Sequence, residues 1–321
     1  MRSHSPSCSV TKFLILLLAF VETSFGGQTT ILHTNDDGWA VANIRAQDSA
    51  LKAAGYDVVL VAPAENESGT GSSDAPASVV GSGGCEFDTC PAGAPATGFN
   101  ASDPRFNYVN SFPVTTVRFG IQTVAPKFFR GARPDFVVSG PNVGTNLGSV
   151  TINSGTVGAA CEAAKEGVPS VAFSAQTGSQ ISFTTLATPS NLTSAAEVYA
   201  ALGVRLVTAL IPPFDLFSIF EGPVLPRNIT LNVNYPATNS VNCSSARDFR
   251  FVLTRVFAAN DTTPPDVRTC GSDRLPTEDS VNAMPGCLAT VSVMDAVTKA
   301  DTTARNQQAV LDKLRGFLTC A

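Results

Sequence analysis

The chain has 321 residues, a formal net charge of −5 and 15 % charged residues. That length supports a sizeable hydrophobic core, and the wealth of apolar and small residues excludes a disordered chain. The acidic balance and the lack of a long basic run exclude duplex nucleic acid as a resting partner, while nucleotides stay open as small substrates.

Arg2 and Lys12 flank the apolar run "FLILLLAFV" (13–21), and the small residues Ser24 and Gly26 follow it. A positive start, a short apolar stretch and small residues behind it form the pattern of a secretory signal peptide over 1–26, cleaved after Gly26. The run is only about half of the ~20 residues that a spanning helix needs, so no membrane association is expected after cleavage. Six N-x-[ST] sequons, at Asn66, Asn100, Asn191, Asn228, Asn242 and Asn260, agree with an exported glycoprotein. Cys8 leaves with the leader. Cys161 lies in the small-residue helix pattern "GTVGAACEAAKEG" and reads as a buried free thiol. Cys85, Cys90, Cys243, Cys270, Cys287 and Cys320 remain as disulfide candidates, with Cys85–Cys90 the natural local pair and the other pairings open.

Behind the leader, 27–321 reads as a single α/β domain. "TTILHTND" predicts a strand, and "AVANIRAQDSALKAAG" a helix with Val41, Ile44, Asp48 and Leu51 on one face and Gly55 as its stop. "YDVVLVAP" is apolar throughout, as in a strand buried on both faces, and completes a βαβ unit. Residues 63–111 dissolve into Gly, Ser, Ala and Pro and read as an extended loop and hairpin insertion. "TTVRFGIQTVAP" predicts a helix and "PDFVVSG" another buried strand. The glycine-rich "PNVGTNLGSVTINSG", the helix "TVGAACEAAKEG" and the strand "VPSVAFSAQ" follow. A helix is predicted over 194–210. Strands in "RNITLNVNYP", "FRFVLTRVF" and "CLATVSVMD" and a closing amphipathic helix make 225–321 a β-rich arm. The alternation predicts a mostly parallel sheet with helices on both faces and a smaller β-rich extension.

In such sheets ligands bind at the carboxyl ends of the strands, where the β-to-α loops emerge. Those ends carry Asn35-Asp36-Asp37-Gly38, "PAENESGTGSS", Pro141-Asn142 and Ser174. Carboxylate, amide and hydroxyl oxygens suit a hard divalent cation such as Mg²⁺, Mn²⁺ or Ca²⁺. Such a cation also cancels the repulsion of adjacent carboxylates, although Asp36 can equally serve as a helix cap. "NVGTNLG" and "NSGTVGAA" look like anion cradles, with Ser154-Gly155-Thr156 just ahead of a helix. A cation and an anion site on one edge point to phosphoryl chemistry. Other chemistries lack their parts. Once His4 leaves, His33 is the remaining histidine, and no G-x-S-x-G elbow, multi-histidine zinc site or P-loop is present. His33 reads as a packed residue.

"ILHTNDDG", "SGTGSS", "RPDFVVSGPNVGTNLG" and "INSGTVGAACEAAKEGVPSVAFS", in this order and spacing, resemble the SurE survival-protein family of 5′/3′-nucleotidases and acid phosphatases. "LNVNYP" (231–236) extends the resemblance, which covers roughly residues 30–300. The resemblance implies a three-layer α/β sandwich with a Rossmann-like core, a homodimer or higher homo-oligomer, and hydrolysis of a small phosphorylated substrate with one divalent cation. Carried over by motif, Asp36, Asp37, Ser68 and Asn142 are the metal ligands, and Asp36 and Asp37 the catalytic residues. Asn35, Gly38, Gly69, Asn146, Ser154, Gly155 and Thr156 are then the phosphate or substrate contacts. Two departures stand out. "FPVTTV" replaces an acidic "TPxDC"-like element of bacterial members, and a late histidine gives way to residues near Met294-Asp295. A secreted, metal-dependent phosphomonoesterase of the fungal type is therefore the leading expectation. A non-catalytic nucleotide-binding protein and, behind it, a carboxylic-ester hydrolase are the alternatives.

Overall fold

The computed structural model describes Met1 and residues 27–213, 223–238 and 243–321. The expected leader from residue 2 to 26 and the sequon at Asn242 lie outside the described residues. β1 (Thr30–Thr34), α1 (Ala42–Ala53) and β2 (Asp57–Pro63) form the first βαβ unit, with Ile31 opposite Val58 in a parallel pair. The 63–111 stretch contributes β3 (Thr97–Asn100) and β4 (Asp103–Val109). This hairpin is not a separate excursion, because β4 adds to β2 in parallel and extends the sheet.

The helix predicted around "TTVRFGIQTVAP" is broken in two, α2 (Pro113–Phe119) and α3 (Ala125–Phe128), joined by a wide π turn over Gly120–Val124. Pro126 has no N–H to return to the preceding turn, so the regular ladder cannot continue through it. β5 (Phe136–Val143), α4 (Val150–Asn153), α5 (Gly155–Lys165) and β6 (Ser170–Ala175) follow. α6 (Asn191–Leu210) begins three residues before its apolar pattern, because Ser190 and Thr193 form a capping box that satisfies its first backbone donors. β7 (Ile229–Tyr235), β8 (Arg250–Thr254), α7 (Glu278–Asn282), β9 (Leu288–Asp295), α8 (Ala304–Lys313) and the short β10 (Leu318–Thr319) complete the described elements.

Among the described residues all strands join one sheet, in the order β10-β8-β9-β7-β6-β5-β1-β2-β4-β3. The run from β4 to β7 is parallel. β9 turns antiparallel against β7, so the β-rich C-terminal stretch lengthens the same sheet. Strand alternation sorts the core into two faces. Ile31, Phe136, Val138 and Val171 pack under α6 with Tyr199, Leu202 and Leu206, while Leu32, Val59 and Val137 meet Val117, Ala159 and Ala163 of α2 and α5. The result is a three-layer α/β sandwich. Among the described residues no helix is long and apolar enough to cross a membrane.

Among the described residues three disulfides staple the loop-rich parts, Cys85–Cys90, Cys243–Cys287 and Cys270–Cys320, with Cys161 free and buried. Cys270–Cys320 closes 50 residues and holds the chain end beside β8. Removing it with a Cys270→Ser/Cys320→Ser pair is expected to cost about 2–4 kcal/mol, read as a lower urea midpoint. An unchanged midpoint would mean that the crosslink adds nothing to packing already in place.

Candidate active site

The chain lays down β1, β2 and β4 on one side, then returns to the other side of β1 with β5 and β6. This reversal opens a crevice at the carboxyl ends of β1 and β5. Asp36 and Asp37 leave β1 there, Asn142 lies at the end of β5, and Ser68 arrives from the loop after β2.

Asp36 is 2 % exposed. Its Oδ2 accepts the Thr156 backbone N–H at 2.9 Å, and its Oδ1 accepts the Thr156 hydroxyl in a short contact. The carboxylate thus sits on the first turn of α5, where backbone donors and helix dipole favour negative charge. Gly155 permits this approach, since a Cβ there would lie 2.8 Å from the Asp36 Cβ and 2.9 Å from Pro113. Burial nevertheless pushes the Asp36 carboxyl above its ordinary range, against the pull of the Thr156 donors.

Asp37 is fully buried and accepts from the Val143 backbone N–H at 2.8 Å and from Gln180 Nε2 at 2.9 Å. The Ser68 hydroxyl lies 3.5 Å from its Oδ1. Burial first, and Asp36 second, push Asp37 up to about 8. Among the described residues no lysine or arginine pairs with either carboxylate. His33 cannot help, because burial lowers it to about 4 and its Nε2 is bonded to the Gly140 carbonyl at 2.7 Å.

Asn142 supplies a test of whether a cation fits. Its Nδ2 donates to the Gly144 carbonyl at 2.8 Å, which turns Oδ1 away, and that oxygen is buried without a partner among the described residues. An orphaned amide oxygen beside two uncompensated carboxylates and a hydroxyl matches the oxygen preference of a hard divalent cation. No three His, Cys, Asp or Glu side chains gather for a metal among the described residues. A cation here would depend on the Ser68 and Asn142 oxygens as well as on the two carboxylates.

The remaining sequence-derived candidates occupy different places. Asn35 spends its amide on Gly38, donating to its carbonyl at 2.9 Å and accepting its N–H at 3.2 Å, which closes the Asp36-Asp37 turn. Gly69 has φ +80 with open space around it, at the exposed rim. Ser154 caps α5 by accepting the Val157 N–H at 3.0 Å. The Ser154-Gly155-Thr156 turn, expected to cradle an external anion, holds the protein's own Asp36 carboxylate instead. Asn146 donates to the Ser174 hydroxyl at 2.7 Å, and its carbonyl accepts from Asn232 and Asn234, so it anchors its loop to β6 and β7.

Three residues of the site escaped the sequence reading. Gln180 reaches Asp37 from the loop after β6. Asn66 Nδ2 in turn donates to Gln180 Oε1 at 2.7 Å, so Asn66 is expected to carry no glycan in a glycopeptide map. Glu86, delivered by the Cys85–Cys90 loop, lies against Gly38 with its Oε2 buried and unpartnered among the described residues, and burial and Asp37 push it up to about 8. Glu278 accepts from the Gly148 N–H at 2.7 Å, Ser292 at 2.8 Å and Asn232 at 3.0 Å, and so holds the 144–149 loop from below. Nothing in the local pattern marks Gln180, five residues beyond β6, or the two glutamates.

Burial raises Glu278 from 4.5 to about 8. The unfolded chain releases this proton near the lower value and the folded chain near the higher one, so stability from this group is lost as pH rises through that window. Between about pH 5 and about pH 8 the wild type is expected to lose on the order of 3 kcal/mol that Glu278→Gln keeps. Urea midpoints across that range measure the difference, and parallel curves would contradict it.

Residues 31–260 match the family profile described as "Survival protein SurE". An acid phosphatase of Yarrowia lipolytica is 34 % identical over 293 residues, covering 83 % of this chain and 79 % of that protein. A 5′-nucleotidase SurE of Gloeobacter violaceus is 31 % identical over 227 residues, covering 70 % of this chain and 71 % of its own length. In structure, the SurE protein of Aquifex aeolicus superposes with a TM-score of 0.55 at 25 % identity, over 88 % of this chain and 98 % of that one. Profile and relatives agree: the chain belongs to the SurE family.

Proposed function

We propose that the chain is a secreted, divalent-cation-dependent phosphomonoesterase acting on nucleoside monophosphates and other phosphate monoesters. One observation carries the reading. Asp36 and Asp37 are buried side by side without a basic partner among the described residues, next to the orphaned Asn142 oxygen. A phosphate monoester is itself an anion, and this corner repels it unless a cation intervenes. When bound, such a cation would neutralise the carboxylates, polarise the phosphate and acidify a water.

The protein's own residues set the geometry. Thr156 fixes Asp36 through two donors, which suits a holding role better than a nucleophile's reach toward phosphorus. Val143 and Gln180 orient Asp37, and the β5 end presents Asn142. Ser68, at the exposed rim, is the one proposed ligand open to solvent. The acid phosphatase and 5′-nucleotidase names of the relatives support phosphate-monoester hydrolysis here. Export rests on the leader pattern, the sequons and three disulfides, which persist in oxidising compartments.

Phosphate release from AMP, GMP and an aryl phosphate, with Mg²⁺, Mn²⁺ or Ca²⁺ and with chelator, tests the reading. Chelation is expected to abolish turnover and the right cation to restore it. Asp36→Asn and Asp37→Asn are each expected to lower kcat/KM by at least about a hundredfold, roughly 3 kcal/mol of transition-state stabilisation. Turnover that survives chelation, or wild-type activity in either variant, sinks the mechanism.

A further inference from the structure

A separate groove of about 620 Å³ opens between α1, the Cys85–Cys90 loop and the β3–β4 hairpin. Trp39, Pro95, Phe99, Tyr108 and Phe183 make its walls apolar and aromatic, and Arg45 is the one charged side chain among its lining residues. Arg45 is only 9 % exposed. Its guanidinium carbon lies 3.8 Å from the Phe106 ring centre, 4.7 Å from Phe183 and 5.6 Å from Trp39. Nε donates to the Trp39 carbonyl at 2.7 Å, and among the described residues the two terminal nitrogens have no hydrogen-bond partner and no paired carboxylate. Burial lowers Arg45 to about 10, against the opposing pull of Asp48 and Asp103, which make their direct ion pairs with Lys52. Stacking on rings offsets only about 0.5–2 kcal/mol of the cost of desolvating such a charge.

We propose that this groove binds a small organic carboxylate with an apolar, ring-sized body, its carboxylate pairing edge-on with the Arg45 guanidinium. The rings cover the guanidinium faces and leave its in-plane N–H edge, which matches a planar carboxylate in a two-point pair. Arg45 is the one charge lining the groove, so a phosphate dianion there leaves more unpaired charge in an apolar setting than a monocarboxylate does. The volume falls within the range of about 300–1,000 Å³ typical of small-molecule sites. Aromatic walls then take up the apolar body of the ligand. The inference stands apart from the phosphatase reading, because none of the groove's lining residues belongs to the Asp36–Asp37 corner.

Trp39 is the protein's single tryptophan, so its fluorescence reports on the groove directly. The secreted protein is titrated with benzoate, with neutral benzamide as the isosteric control and inorganic phosphate as competitor. A saturable fluorescence change is expected with benzoate, a much weaker one with benzamide, and no displacement by phosphate. Arg45→Met is expected to weaken benzoate at least about tenfold. Phe99→Ser changes a wall residue that is already 60 % exposed, so it guards against a folding defect in the Arg45 variant and is expected to weaken benzoate severalfold with an unchanged Tm. The proposal is overturned by no saturable response up to about 50 mM, a ceiling below which even feeble sites register. Equal binding of benzamide, displacement by phosphate, or unchanged affinity in Phe99→Ser overturns it as well.

Discussion

Asp36 on the first turn of α5 is the contact around which the rest of the site is arranged. The end of β1 and the start of α5 belong to different βαβ passes, and the carboxylate bridges them through the Thr156 N–H and hydroxyl. Gly155 has no side chain to keep them apart. With Asp36 held, Asp37 points to the β5 end, where Val143 and Gln180 receive it. The helix N-terminus offsets part of the charge of one carboxylate, and the Val143 N–H and the Gln180 amide receive the other. That division explains why two like charges can stand side by side in a buried turn.

A second layer of polar contacts keeps the corner in place. Asn232 and Asn234 of β7 hold the Asn146 carbonyl, Asn234 accepts the Asn146 N–H, and Glu278 accepts the Gly148 N–H. Ser139 and Ser170 donate to the Thr156 and Ala160 carbonyls and seat α5 on the sheet. Buried polar networks of this kind cost free energy unless fully paired, and in return they specify one arrangement. Here they fix the segment that runs from Asn142 at the end of β5 to Thr156 in the first turn of α5.

Legibility in the sequence followed the physics of each element. β1, β2, β5 and β6 announce themselves as apolar runs, since strands buried on both faces admit little else. Apolar spacing alone starts α6 three residues late, because its true start depends on the Ser190–Thr193 exchange. The 63–111 stretch hid β4, whose "DPRFNYV" carries too much polarity to read as a parallel strand. Placement of Asp36, Asp37, Ser68 and Asn142 at one edge followed from strand ends. The task of Ser154-Gly155-Thr156 did not, since a helix N-terminus attracts an inner carboxylate as readily as an outer phosphate.

By itself the sequence determined the layered fold, the edge on which chemistry gathers and the kind of atoms gathered there. Those properties reside in local periodicity and in which residues end each strand. Tertiary structure alone decided that α5 serves Asp36, that Glu86 approaches the corner while Glu278 holds the Gly148 loop, and that Arg45 is walled in by rings. Each of these joins segments far apart in the chain. Burial and pairing are sums over neighbours that no single stretch of sequence contains.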